Sequence, residues 1–232
     1  MALPFFYTGN YNSEKQIQLD EDTSRHVVQV LRMKTGDKLN LTDGKGNLLT
    51  CGITAVNKKH SEVEVLSSVI SPLPSKKITI AVSLVKNTSR FEWFLEKATE
   101  IGVAEIIPLL CERTEKERFR HDRMNAICIS AMLQSQQCWL PVLHQPVPFE
   151  SVIRATESGA KFIAHCDEGN KLLLKDVAAV PSAIILIGPE GDFTKEEIDL
   201  ALSTGFRPVS LGETRLRTET AGVVAATLLC LV

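Results

Sequence analysis

The sequence contains no C-x-x-C pair and no cysteine–histidine cluster at metal-ligand spacing. Its six cysteines (Cys51, Cys111, Cys128, Cys138, Cys166 and Cys230) are scattered along 232 residues. In a chain this long that pattern reads as free thiols in a reducing compartment, not disulfides or zinc. The longest apolar runs, Ala183–Ile187 and Ala221–Val232, fall short of the roughly 20 residues a membrane span needs. The opening MALPFFYTGN lacks a basic segment followed by a long apolar one, so no secretory signal is expected. The dinucleotide G-x-G-x-x-G, the P-loop G-x-x-x-x-G-K-[ST] and the G-x-S-x-G nucleophile elbow are all missing, which removes the signatures of three large enzyme classes. Net charge is only −2, so no bulk field announces a nucleic-acid partner. The expectation is a cytoplasmic globular protein, without membrane or metal.

Two textures follow one another along the chain. Residues 1–71 carry short apolar runs broken by turns at Asp43–Asn47 and Val56–Lys59, with alternation at Lys38–Thr42 and Ser61–Val65. That pattern predicts a small β-barrel, interrupted by a helix near Thr23–Leu31 whose Val27, Val30 and Leu31 share a face. Ser71-Pro72-Leu73-Pro74-Ser75 is the expected linker. Residues 72–232 then alternate strands (Ile78–Val85, Glu105–Leu110, Lys161–Cys166, Ser182–Ile187, Arg207–Leu211) with helices. Those helices are one capped at Ser89, one over Met124–Gln137, one capped at Thr194 and one from Thr218 onward. This alternation predicts an α/β domain with a parallel sheet covered on both faces, and ligands in such sheets sit beyond the strands' carboxyl ends.

Two strand ends stand out. Ile187-Gly188-Pro189-Glu190-Gly191-Asp192-Phe193 lets backbone approach a ligand closely and leaves N–H groups free to bind it; a tight turn with nothing bound would use the same residues. Leu211-Gly212-Glu213-Thr214-Arg215-Leu216-Arg217-Thr218 brings two arginines to the start of an apolar helix that Thr218 or Thr220 could cap. A guanidinium there can grip a phosphate or steady an anion, or simply pair with Glu213 or Glu219. His165 ends a strand, where a satisfied core histidine is the commoner outcome. Basic residues gather at Arg25, Arg32, Lys34 and Lys38, and at Arg113, Lys116, Arg118, Arg120 and Arg123. The second group is interleaved with Glu112, Glu115, Glu117 and Asp122, and so fits either a phosphate-binding surface or a solvated, ion-paired face. Glu92, Glu96 and Glu100 are spaced as one exposed helical stripe.

Four blocks carry a resemblance. Gly188–Glu197 reads G-P-E-G-x-F-[ST]-x-x-E, Leu211–Ala221 ends in L-R-T-E-T-A, Arg25–Arg32 reads R-H-x-x-x-V-L-R, and Arg90–Gly102 follows Lys86. In this order they resemble the 16S rRNA (uracil-N3) methyltransferase family of the SPOUT superfamily. The resemblance implies a PUA-like RNA-binding β-barrel over residues 1–71 and a methyltransferase domain with a trefoil knot over 72–232. It also implies S-adenosylmethionine as cofactor, a homodimer, and 16S rRNA within the 30S subunit as substrate. Carried over, Gly188, Pro189, Glu190 and Gly191 form one wall of the cofactor pocket and Leu211, Gly212, Leu216 and Arg217 the other; Leu84 and His165 or Cys166 are further contacts. Arg217 becomes the catalytic candidate, because removing the N3 proton leaves negative charge on O2 and O4 of the base. No general base stands out, leaving solvent or an RNA group. Arg25, His26 and Arg32 are assigned to RNA.

The chain departs from the pattern at Leu3–Phe6, where the family commonly has an arginine. It departs again at Leu133 and Gln137, which replace the glutamate and arginine of an A-x-E-Q-S-x-R block. Asp192 stands where glycine is commoner. The alternative readings are a SPOUT methyltransferase acting on another RNA or atom, and a non-catalytic RNA-binding protein.

Overall fold

A computed structural model describes residues 3–9, 11–115, 118–156, 159–167 and 169–232. The chain divides into two compact units, one of residues 1–73 with 132–140, the other of residues 74–131 with 141–232.

The first unit contains β1 (Phe5–Tyr7), β2 (Gln16–Gln18), α1 (Glu21–Arg25), a π-helical turn (His26–Val30), β3 (Lys38–Thr42), β4 (Asn47–Ala55) and β5 (Glu62–Ile70). Its sheet runs β1-β3-β4-β5-β2, antiparallel except for the parallel β1–β3 pair. Alternation does the work the sequence expected of it. Leu39 and Leu41 on β3 and Leu49, Cys51 and Ile53 on β4 all point into one core with Val63 and Ile17. The segment 132–140 joins this unit by backbone: the Gly46 N–H donates to Cys138 O at 2.8 Å, and the Leu140 N–H to Gly44 O at 2.9 Å. The Trp139 indole lies over Gly46, where any Cβ would sit 2.4 Å from the ring.

The helix expected over Thr23–Leu31 is corrected here. After α1 the turn widens, with the Leu31 N–H reaching His26 O and the Met33 N–H reaching Val27 O. Widening by a residue per turn breaks the 3.6 phase, so Val27 is buried while Val30 is 66% exposed and Leu31 40% exposed. Arg25, His26 and Arg32 all end up exposed, Arg32 in the left-handed region with φ 54°.

The second unit contains β6 (Lys77–Ser83), α2 (Thr88–Ile101), β7 (Glu105–Leu110), α3 (His121–Gln134), β8 (Val142–Leu143), β9 (Val147–Pro148) and α4 (Phe149–Ala155). It continues with β10 (Ala160–Ala164), β11 (Leu172–Leu173), α5 (Leu174–Val177), β12 (Ser182–Ile187), α6 (Lys195–Ser203), β13 (Arg207–Ser210) and α7 (Thr218–Leu231). The last three residues of α3 fall in the first unit. The sheet order is β11-β13-β10-β12-β6-β7-β8, with β9 also on β7, and every pairing is parallel. Continuous apolar strands such as β12 need cover on both faces. On one face α4 and α6 supply it through Phe149, Val152, Ile153, Ile198 and Ala201. On the other, α7 packs against α2, β6 and β12.

Several local expectations change: α3 runs over His121–Gln134 instead of Met124–Gln137, and β10 and β13 end at Ala164 and Ser210, short of Cys166 and Leu211. The N-cap of α2 is Asn87, accepting from the Ser89 N–H, so the helix starts two residues earlier than a Ser89 capping box would place it. β6 stops at Ser83, leaving Leu84 beyond the strand. Thr218 and Thr220 do not cap α7, whose N-cap is Arg217 with no side-chain bond. The capping box at Thr194 and Glu197 and the left-handed C-cap at Gly102 form as expected.

Candidate functional site

β10, β12 and β13 are neighbours in the sheet, and beyond their carboxyl ends lies a cavity of about 590 Å³. It is the place the strand-end rule for parallel sheets selects, and its size suits a drug-sized ligand. Gly188, Pro189, Glu190 and Asp192 line one side, Leu211 to Arg217 the other, and His165, Cys166 and Lys171 the β10 end. The two segments singled out in the sequence therefore face one space. Gly191 and Leu84 do not line it; Leu84 is buried, its N–H bonded to Leu109 O at the β7 end.

The Gly188–Phe193 loop is fixed from several directions. The Thr218 hydroxyl donates to Gly188 O at 2.9 Å, which is why it is unavailable as a cap. Arg113 Nη1 donates to Gly191 O at 2.7 Å and to Phe193 O at 3.4 Å. Asp192 adopts φ 64°, and its carboxylate accepts from the Cys166 N–H at 2.7 Å and the Phe193 N–H at 2.8 Å. The Lys86 N–H reaches Glu190 Oε1 at 3.4 Å. A Cβ on Gly188 would stand 3.1 Å from the Phe193 ring and 3.2 Å from its backbone nitrogen, so a side chain here would press on Phe193.

The opposite loop is open. Glu213, Thr214, Arg215 and Arg217 are exposed, and Ser210 Oγ, bonded to Gly212 O at 2.8 Å, ties only its own turn. Among the described residues neither Arg215 nor Arg217 makes an ion pair. The alternative pairing with Glu213 or Glu219 does not form, and Glu219 instead meets Arg90 at 3.7 Å. Glu219 is 6% exposed, and its Oε2 has no hydrogen-bond partner among the described residues.

His165 is not the satisfied core residue its strand-end position favoured. Both ring nitrogens are shielded and without partners among the described residues, while its carbonyl accepts from Lys171 Nζ at 2.7 Å. Burial, followed by the nearby Lys171 charge, holds its pKa below the usual histidine value. A neutral imidazole offers a ligand one donor and one acceptor.

The basic clusters resolve unequally. Arg25 pairs with Glu21 at 2.9 Å and Asp22 at 3.3 Å, and His26 lies edge-on to Phe6. Arg113 is committed to the loop, and Arg123 to Glu92 at 2.6 Å, a partner the acidic stripe did not reveal. Lys97 bridges Glu96 and Glu100, so the stripe expected to be exposed is half-buried and ion-paired. Arg118 and Arg120 are exposed; Lys116 and Glu117 lie outside the described residues. A second cavity, of about 690 Å³, is lined by Glu112, Glu150, Glu196, Glu197 and by Arg154, which pairs with Glu150; the acidic excess makes it a poor setting for RNA phosphates.

Sequence reasoning missed the Asp192 latch, the Thr218 bond and the Arg90–Glu219 pair. An aspartate at a glycine-favouring position was the one available signal. The other two depend on which elements meet in space.

Residues 71–230 match the family described as RNA methyltransferase domain, and residues 19–66 the family described as RNA methyltransferase PUA domain. The chain belongs to this RNA methyltransferase family. A probable rRNA-methyltransferase from Porphyromonas gingivalis is 40% identical, with a TM-score of 0.90 over 97% of this chain and 95% of that one. A putative methyltransferase from Legionella pneumophila, solved in complex with the bound cofactor SAM, is 32% identical with a TM-score of 0.87 over 99% and 97%. Ribosomal RNA small subunit methyltransferase E of Synechocystis is 31% identical over 223 residues, which are 91% of this chain and 72% of the relative. The PUA-domain match lies within the first unit, and the methyltransferase-domain match covers the α/β second unit together with the segment 132–140.

Proposed function

We propose that this protein transfers the methyl group of S-adenosylmethionine to N3 of a uridine in the 16S rRNA of the small ribosomal subunit. The carrying observation is that the Gly188–Phe193 and Leu211–Arg217 loops, far apart in sequence, wall a single cavity at the strand ends. Its residues suit the cofactor. Gly188 and Pro189 offer buried backbone, the shielded His165 nitrogens lack partners among the described residues, and the relative from Legionella pneumophila carries SAM in the same fold. Relatives named for small-subunit rRNA support the substrate.

S-adenosylmethionine, when bound, supplies an electrophilic methyl group on a sulfonium. The protein must present to it a uracil with its Watson–Crick edge unpaired and turned out of any stack. Arg217, exposed at the cavity lip at the N-cap of α7, stabilises the charge that develops on O2 and O4 as the N3 proton leaves. Solvent or an RNA group takes that proton. Arg25, His26 and Arg32 on the first unit contact RNA phosphates. The proposal includes residues 1–71 as the RNA-binding domain and 72–232 as the catalytic one. It also includes a trefoil knot through the two pocket loops, a homodimer completing the site, and a cytoplasmic 30S particle as the target.

The test is methyl transfer from labelled S-adenosylmethionine to 30S subunits lacking the modification, followed by nucleoside mass spectrometry. A 3-methyluridine peak is expected. A different methylated nucleoside would overturn the substrate, and no transfer with no cofactor binding would leave an RNA-binding protein.

A further inference from the structure

We propose that Asp192 and Arg113 are a two-sided brace that sets the fixed wall of the cofactor pocket, acting as positioning residues. The inference rests on the cofactor reading of the cavity. The loop between β12 and α6 projects past the sheet, and the capping box of α6 anchors only its far end. Two side chains grip its middle from opposite sides. From the β10 side, Asp192 spans the gap: one carboxylate oxygen accepts from the Cys166 N–H at 2.7 Å while the other turns back to the Phe193 N–H at 2.8 Å. From the β7 side, the Arg113 guanidinium reaches Gly191 O at 2.7 Å and Phe193 O at 3.4 Å. The flanking residues 191 and 193 are thus held from β7 while residue 192 is held from β10. Asp192 also supplies the turn itself, its N–H bonded to Pro189 O at 3.0 Å with φ at 64°. Aspartate tolerates the left-handed region better than most residues. Glycine would adopt it more easily but could not reach Cys166. An aspartate here exchanges backbone ease for a tether, and a charge-assisted bond to backbone N–H is among the stronger kinds. The brace also explains why Arg113, first in the basic run, faces the loop and leaves phosphate contact to others.

Asp192→Gly and Arg113→Met separate this role from its rivals, because glycine keeps the turn unstrained and the variant folds. In the ligand-free protein, hydrogen exchange should speed up at Cys166 and across residues 190–193 in Asp192→Gly, and across 191–193 in Arg113→Met, with the helices unchanged. Binding of S-adenosylmethionine and S-adenosylhomocysteine should weaken together, by about tenfold, with KM for the cofactor affected more than kcat. Asp192→Asn, which keeps one acceptor oxygen, should fall between. Unchanged exchange in both variants overturns the brace. So does a loss confined to S-adenosylmethionine, which would assign Asp192 to charge attraction, or weakened RNA binding with intact cofactor binding in Arg113→Met. Wild-type protein that binds neither cofactor form, while Asp192→Gly still exchanges faster, overturns the proposed function and leaves the brace standing.

Discussion

The two walls of the cavity are held in opposite ways. Gly188–Phe193 is gripped by Thr218 from α7, Arg113 from beyond β7 and the Cys166 amide from beyond β10. Among the described residues, Leu211–Leu216 is tied within its own turn through Ser210, Arg217 O accepts from the Ala221 N–H at 2.8 Å as α7 begins, and the segment carries four exposed polar residues. Local opening free energy tracks such buried bonds and contacts, so the first wall is preformed and the second is the wall that adjusts. A preformed wall reduces the ordering cost of binding. With Arg217 in its proposed role, an adjustable wall would let its contact to the base form when both ligands are in place. The division suits an enzyme that must hold a small cofactor firmly and an RNA base transiently.

The sharpest way to break this contrast is to remove function from the loose wall alone. Arg217→Ala should lower turnover by about a hundredfold, the scale of losing one preorganised anion donor, while cofactor affinity stays within about threefold by calorimetry. Equal losses in both would remove Arg217 from the anion role.

Next in size is paired damage to the two walls. Gly188→Ala drives a Cβ to 3.1 Å from the Phe193 ring and should weaken S-adenosylhomocysteine binding by about tenfold. Gly212→Ala meets no atom within 4 Å but must bear φ 146°; its smaller effect, about threefold, should fall on both ligands. Reversal of that order would invert the assignment of the walls.

The remaining two effects are smaller and come from the β10 end. His165 has a lowered pKa in the folded state. As pH falls below about 6.5 the unfolded chain takes up a proton that the folded chain resists, so acid weakens the fold. His165→Gln should flatten the fall in stability just below that pH in denaturant melts. Cys166 is the one exposed thiol among the described cysteines, whereas burial pushes the thiol of Cys111 up to about 12 and those of Cys51 and Cys230 to about 11. A thiol reagent should label Cys166 first, and S-adenosylhomocysteine should slow it severalfold because Cys166 lines the cavity.

Much of this was legible in the chain because the signals were local. The strands Glu105–Leu110 and Ser182–Ile187 have the bounds their apolar runs announced, and the Thr194 capping box and Gly102 stop are short-range chemistry. What escaped was non-local or phase-breaking. The π turn at His26–Val30 put Val30 and Leu31 outside although a 3.6 period placed them with Val27. Thr218 looked like a cap until Gly188 O was seen beside it. The adherence of residues 132–140 to the first unit left no mark in the local pattern. For the site, glycine and arginine content marked both walls, but nothing in sequence spacing says that one is clamped and the other open.

The most direct measurement is a crystal structure of the protein with S-adenosylhomocysteine. The expected result is ligand seated between Gly188–Pro189 and Leu211–Leu216, with the Gly188–Phe193 backbone unmoved, the Asp192 and Arg113 bonds intact, and Leu211–Arg217 shifted onto the ligand. Ligand bound elsewhere, or a Gly188–Phe193 loop that rearranges to admit it while Leu211–Arg217 stays still, would contradict the account.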